Sequence, residues 1–165
     1  CIESFNPGIF QKTILSLKQL ENSNKKYDFY IRTNLSTFFV FKNLVPKFSI
    51  LDYKNEYIYS GQNMIIDNIK YISGTSIIMN NLSVKKLIKV GENSIYFNNT
   101  KYLDDVIIGK ILNKYLNKDN IDWLFWYDLK DNFEKNIKRY NNQPMLRVRS
   151  YDKEIYNKLF NYFYK

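Results

Sequence analysis

The stretch YDFYIRTNLSTF, Tyr27–Phe38, decides how this chain is read. Aromatic and aliphatic residues run to Thr33 and give way to Asn34-Leu35-Ser36-Thr37. A short run rich in Tyr, Phe and Ile, bounded by polar punctuation, predicts a buried central strand over Tyr27–Thr33. In open α/β sheets, ligands sit in the crevice beyond the carboxyl ends of such strands. The arrangement therefore puts the Arg32 guanidinium, the Asn34 amide and the Ser36 and Thr37 hydroxyls where a polar ligand is expected.

Working outward, Asn6-Pro7-Gly8 is a turn signal, and proline is favoured at a helix start because its missing N–H costs nothing there. Ile9, Thr13, Leu17 and Leu20 then keep helical spacing, which predicts a helix over Gly8–Glu21. On the other side, Ser36 or Thr37 can cap a short helical segment running toward Leu44 and stopped by Pro46. Glu56–Tyr59 and Met64–Ile66 suit short strands, and YISGTSIIM (Tyr71–Met79) reads as a strand with Gly74 at its centre. Ser83 is the expected N-cap of a helix over Val84–Val90 that ends at Gly91. Asp104 and Asp105 open a helical stretch from Val106 to Leu116. Ile121–Tyr127 reads as a strand, and Met145–Ser150 as a half-buried strand with Arg147 and Arg149 on one face. A last amphipathic helix is predicted over Asp152–Tyr164. With no internal repeat and no linker, the expectation is one α/β domain over residues 1–165, a mixed sheet flanked by helices.

Composition narrows the chemistry. A single Cys rules out an internal disulfide and a multi-cysteine zinc site, and the absence of His excludes Ser–His or Cys–His nucleophilic catalysis and a His-ligated zinc. Chemistry must rest on Asp, Glu, Tyr, Lys, Arg, hydroxyls or a bound ion. The formal charge of +9 invites a nucleic-acid reading. Against it, the 21 Lys far outnumber the 4 Arg and are scattered, while 22 Asn and no Ala suggest the codon bias of an A- and T-rich genome, as in a large DNA virus or an AT-rich protist. Nucleic acid is therefore a disfavoured partner. No apolar run reaches the roughly 18–20 residues that span a bilayer, and no secretory signal is present, so the expected location is cytoplasmic. Beginning on Cys1, the chain is expected to be a processed form or an excised piece.

Three motifs carry chemistry in a fixed order: RTNLSTF (Arg32–Phe38), ISGTSIIMN (Ile72–Asn80) and LDDVIIGKIL (Leu103–Leu112). Each also has a plain structural use. Asn34–Ser36 suits an Asx turn after a strand, Gly74 a bulge or close packing, and Asp104-Asp105 the capping and dipole preferences of a helix N-terminus. Trp123 and Trp126 suit a core better than sugar stacking, because their segment is apolar throughout.

In this order the motifs resemble the GT-A type of glycosyltransferase, closest to its Fringe-like and β-galactosyltransferase-like branch. The resemblance covers roughly residues 27–116 and implies a GT-A-like α/β fold of which this chain is the C-terminal two-thirds. It implies an enzyme that moves a sugar from a nucleotide-sugar donor to a hydroxyl of a glycan, protein or lipid acceptor, with inversion. Asp105 would be the catalytic base with Asp104 beside it. Arg32, Asn34 and Ser36 would border the donor, Arg147 and Arg149 would clamp its diphosphate, and Gly74 and Thr75 would line the acceptor side. The family's D-x-D carboxylates hold a divalent cation, whereas here neutral Asn34 and Ser36 stand in their place. A cofactor such as Mn²⁺ or Mg²⁺ is accordingly disfavoured, since hard cations want carboxylate oxygen. A non-catalytic carbohydrate-binding relic of the same fold is the alternative, and a basic nucleic-acid-binding domain a second.

Overall fold

The computed structural model describes residues 6–116, 133, 137–138, 140–148 and 153–165. The chain is α/β and divides into two compact units, residues 1–32 with 52–122, and residues 33–51 with 123–165. Among the described residues, no helix is long and apolar enough to cross a membrane.

The first unit begins with helix α1, Gly8–Glu21, the span its spacing predicts, and buries Phe10, Ile14 and Leu17 along one stripe. Strand β1, Phe29–Thr33, begins two residues later than expected, and it is not the buried central strand predicted: among the described residues it pairs only along one side, and Tyr30 alone is buried. Strands β3 (Tyr59–Ile66) and β4 (Ile69–Asn80) form an antiparallel hairpin, and the sheet order is β1-β4-β3. β4 is therefore the central strand, and its buried run from Thr75 to Asn80 packs under α3 (Asn81–Glu92) and α4 (Asp104–Leu112). Burial of Ile14, Ile72, Ile77, Met79, Leu87 and Ile107 builds one apolar core from both helices and sheet. α4 ends four residues earlier than its apolar pattern suggests, at Leu112.

The predicted cap of α3 is corrected. Asn80, not Ser83, is the N-cap; its Oδ1 accepts the Ser83 N–H at 3.1 Å and the Ile58 N–H at 3.0 Å. Its Nδ2 donates to the carbonyls of Tyr53 and Glu56 at 2.7 and 2.8 Å, so one buried amide ties the incoming loop to the helix start. Ser83 lies inside the first turn, where its buried Oγ has no hydrogen-bond partner among the described residues. A buried hydroxyl without a partner costs desolvation energy. Ser83→Ala should therefore raise stability by about 1 kcal/mol, seen as a higher denaturation midpoint at unchanged slope.

In the second unit, β2 (Thr37–Phe39) pairs antiparallel with β5 (Met145–Arg147), with Thr37 opposite Arg147 and Phe39 opposite Met145. The Val148 N–H to the Ser36 carbonyl and the Val40 N–H to the Pro144 carbonyl extend this ladder at both ends. Helix α2 runs Phe41–Ser49 and the last helix, α5, Lys153–Tyr164. Val40, Leu146, Val148, Ile155, Leu159 and Phe163 form its own core. Two expectations fail here. Residues 37–39 are strand, because β5 offers them a backbone partner that a helix cap would forgo. α2 also continues through Pro46, whose missing N–H forfeits a bond only to the Lys42 carbonyl, with three residues left to run. The strand predicted over 121–127, with Trp123 and Trp126, lies outside the described residues, as does Asp152.

Candidate functional site

The hairpin between β3 and β4 does not keep its register. Tyr59 to Gly61 pair with Met79 to Ile77, but Asn63 pairs with Ile72, so Gln62 alone faces the four residues Ser73–Ser76. The central strand thus bulges at the Ser-Gly-Thr motif. Bulges of this kind re-aim side chains and are over-represented beside active sites. Gly61 permits the crossing: its φ is +148°, and a Cβ there would lie 2.2 Å from the Ser76 carbonyl oxygen.

Two side chains hold the bulge, and a third braces one of them. Arg32, near the end of β1, donates from Nη1 to the Gly74 carbonyl at 2.8 Å and from Nη2 to Asp104 Oδ2 at 2.5 Å. Asp105 Oδ2 accepts the Gly74 N–H at 2.8 Å. Both backbone groups of Gly74 are thereby held, one by the cation and one by the acid. A Cβ at Gly74 would sit 2.3 Å from Arg32 Nη1, so glycine is what admits the guanidinium. The acids are delivered by α4, which lies hard against β4: a Cβ on Gly109 would be 2.6 Å from Tyr71 Cβ and 2.8 Å from the Lys70 carbonyl. That close approach sets the helix N-terminus, with Asp104 and Asp105 in its first turn, beside the bulge.

The two acids differ. Asp104 is 7% exposed, and burial raises its carboxyl above the ordinary 3.8, with Arg32 opposing and Asp105 adding to the rise. Asp105 is partly exposed; Oδ2 holds Gly74 and Oδ1 accepts the Val106 N–H at 2.9 Å. Each of its oxygens retains a further lone pair, so it can still accept a proton or hydrogen bond from outside.

Sequence reasoning missed Tyr59. Its fully buried hydroxyl accepts the Ile72 N–H at 2.8 Å and approaches the Asp105 carbonyl at 3.5 Å, and burial together with both acids pushes it upward. Nothing in the alternation of residues 57–59 distinguishes it from an ordinary core tyrosine. Tyr71 is likewise raised, by burial first and by Asp105 beside it second.

Of the residues singled out from the motifs, the first unit brings together Arg32, Gly74, Asp104 and Asp105. Thr75 is buried, with its Oγ1 2.9 Å from Ser73 Oγ. Asn34, Ser36 and Arg147 belong to the second unit, and Arg149 lies outside the described residues. Asn34 Oδ1 accepts the Ser36 N–H at 3.1 Å, the Ser36 hydroxyl at 2.7 Å and the Thr37 hydroxyl at 3.3 Å. The carbonyl is consumed by its own turn, as an Asx turn requires. Arg147 lies on β5 opposite Thr37.

The divalent cation implied by the D-x-D pattern does not fit these residues. Positions 34 and 36 offer neutral oxygens, and the better of them already accepts three donors. Among the described residues, no group of three or more Asp, Glu, His or Cys is placed to hold a metal ion. No protein-family model matches the chain, and no curated protein matches it in sequence.

Proposed function

We propose that the chain is a glycosyltransferase in which Asp105 is the general base. The acceptor hydroxyl oxygen attacks the anomeric carbon, the bond from that carbon to the nucleoside diphosphate breaks, and Asp105 takes the hydroxyl proton. A positioned carboxylate of this kind contributes about 10²–10⁴-fold. Asp104 works through Arg32, holding the guanidinium against Gly74, and is a positioning residue.

The observation that supports this reading is the convergence of Arg32, Gly74 and the acid pair, residues from three motifs far apart in sequence, on one bulge. Asp105, which holds the Gly74 N–H, is also partly exposed, so the carboxylate that fixes the bulge is open to an acceptor hydroxyl. The test is a panel of nucleotide-hexose donors incubated with hydroxyl acceptors, with release of the nucleoside diphosphate measured with and without Mn²⁺. Transfer from at least one donor is expected; failure of every donor to bind or turn over ends the proposal.

The consumed Asn34 carbonyl favours a second reading, the carbohydrate-binding relic, which would bind a donor or glycan in calorimetry without turnover. The chemistry of positions 34 and 36 also has its own test. Asn34→Asp with Ser36→Asp places two carboxylates in the turn. Mn²⁺ should then raise the melting temperature by about 2–4 °C, while the unsubstituted chain shows no such shift.

A further inference from the structure

The second unit presents an apolar face that its own core does not use. Phe41 and Val45, one turn apart on α2, are 52% and 58% exposed; Phe160 and Tyr164, one turn apart on α5, are 51% and 40% exposed. These are one patch. The Phe160 and Tyr164 rings lie 5.5 Å apart, and the Tyr164 hydroxyl accepts the Phe41 N–H and donates to the Phe39 carbonyl, both at 2.8 Å. Phe39 in turn stacks on Phe41 at 5.8 Å. Apolar residues exposed singly are ordinary, whereas a contiguous aromatic patch marks a contact surface.

Charge says what kind of contact. The second unit carries eleven basic against five acidic residues, and the segment 33–51, which supplies Phe41 and Val45, contains no acid at all. Lys42 and Lys165 adjoin Phe41 and Tyr164 in sequence and are exposed. Lys42 Nζ stands 5.3 Å from the Phe163 ring, so cation and aromatic share this end of the unit. Aromatic rings with lysines around them suit the headgroup level of a bilayer, where rings enter the interface and ammonium groups meet anionic lipid. A second copy seated on the same face would set two basic surfaces against each other. A nucleic acid would want stacking rings on a sheet face or arginine in the groove, whereas here the exposed rings of Phe41, Phe160 and Tyr164 sit on helices together with an aliphatic Val45.

We propose that this face docks the protein on an anionic bilayer surface. The inference goes beyond the transfer reading and does not depend on it. Co-sedimentation of the full chain with vesicles of phosphatidylcholine alone, or mixed with phosphatidylserine, tests it. Binding is expected only with phosphatidylserine present, and weakening as salt is raised. Phe41→Ser with Phe160→Ser should weaken it about tenfold. Lys42→Glu with Lys165→Glu should weaken it by at least as much, and this second pair, both exposed, serves if the first fails to fold. The proposal is overturned by absence of sedimentation at low salt, by binding indifferent to either pair, by vesicle release on adding a short RNA that binds the same face, or by self-association that the phenylalanine pair abolishes.

Discussion

Asp105→Asn is expected to cut the proposed sugar transfer about 10²–10⁴-fold, because it removes the partly exposed carboxylate at the bulge that the proposal makes the proton acceptor. The structure makes this substitution less innocent than it looks. Asp105 gives one oxygen to the Gly74 N–H and the other to the Val106 N–H. Asparagine has one carbonyl oxygen for two backbone donors, and its amide would face the second N–H. The mismatch costs about 1–3 kcal/mol of stability. Activity must therefore be read beside a melting curve, at a temperature where the variant is fully folded. Under those conditions a fall in kcat with little change in donor KM is the signature of a lost base, since the donor does not depend on it for binding. Transfer within about tenfold of the unsubstituted chain would show that Asp105 serves only to hold the bulge.

Arg32→Met should destabilise the first unit by about 3–5 kcal/mol. The side chain of Asp104 is 9% exposed and paired at 2.5 Å, so removing its partner leaves a buried charge uncompensated. It also frees the Gly74 carbonyl. Adding Asp104→Asn to Arg32→Met should restore more than half of the loss, because the uncompensated charge, not the missing contact, carries most of the cost. Urea midpoints of the four chains check this as a double-mutant cycle. Pairwise additivity would mean that the two residues do not interact.

The same pair sets a pH dependence. The Asp104 carboxyl is raised in the folded chain, burial being the first cause. The native state therefore holds this proton more tightly than the unfolded state. The associated stability is complete below the ordinary value of 3.8 and is lost as pH rises through the folded value. Without Arg32 the carboxyl rises further, so the deficit of Arg32→Met should shrink as the solution is taken from neutral toward about pH 4. Asp104→Asn should remove this dependence. A deficit that stays constant over that range would mean that Asp104 is not the group left bare.

Helix α1 and the start of α4 were legible because their signals are local. Ile14 and Leu17 fall on one helical stripe, and an acid pair before an apolar run marks a helix start in any context. The same locality misled at residues 37–39 and at Ser83. A cap-forming residue type is common to many positions, and which one caps depends on a partner far along the chain: β5 for the first, and the loop at 53–58 that Asn80 gathers for the second. Tyr59 was illegible for the same reason, since its role lies in an N–H thirteen residues away.

Residue type and order by themselves determined that this is an α/β chain with no His and a single Cys; besides Asn34, Ser36, Arg147 and Arg149, they offered as candidates Arg32, the Ser-Gly-Thr strand and the acids at 104 and 105. That these groups meet was decided by tertiary structure alone. The four-against-one bulge of β4 on Gln62, and the approach of Gly109 to Tyr71 that seats α4 beside it, are features of pairing and packing. Neither has a local period or composition to announce it, because each arises from the distance between two backbones that the chain brings together only on folding.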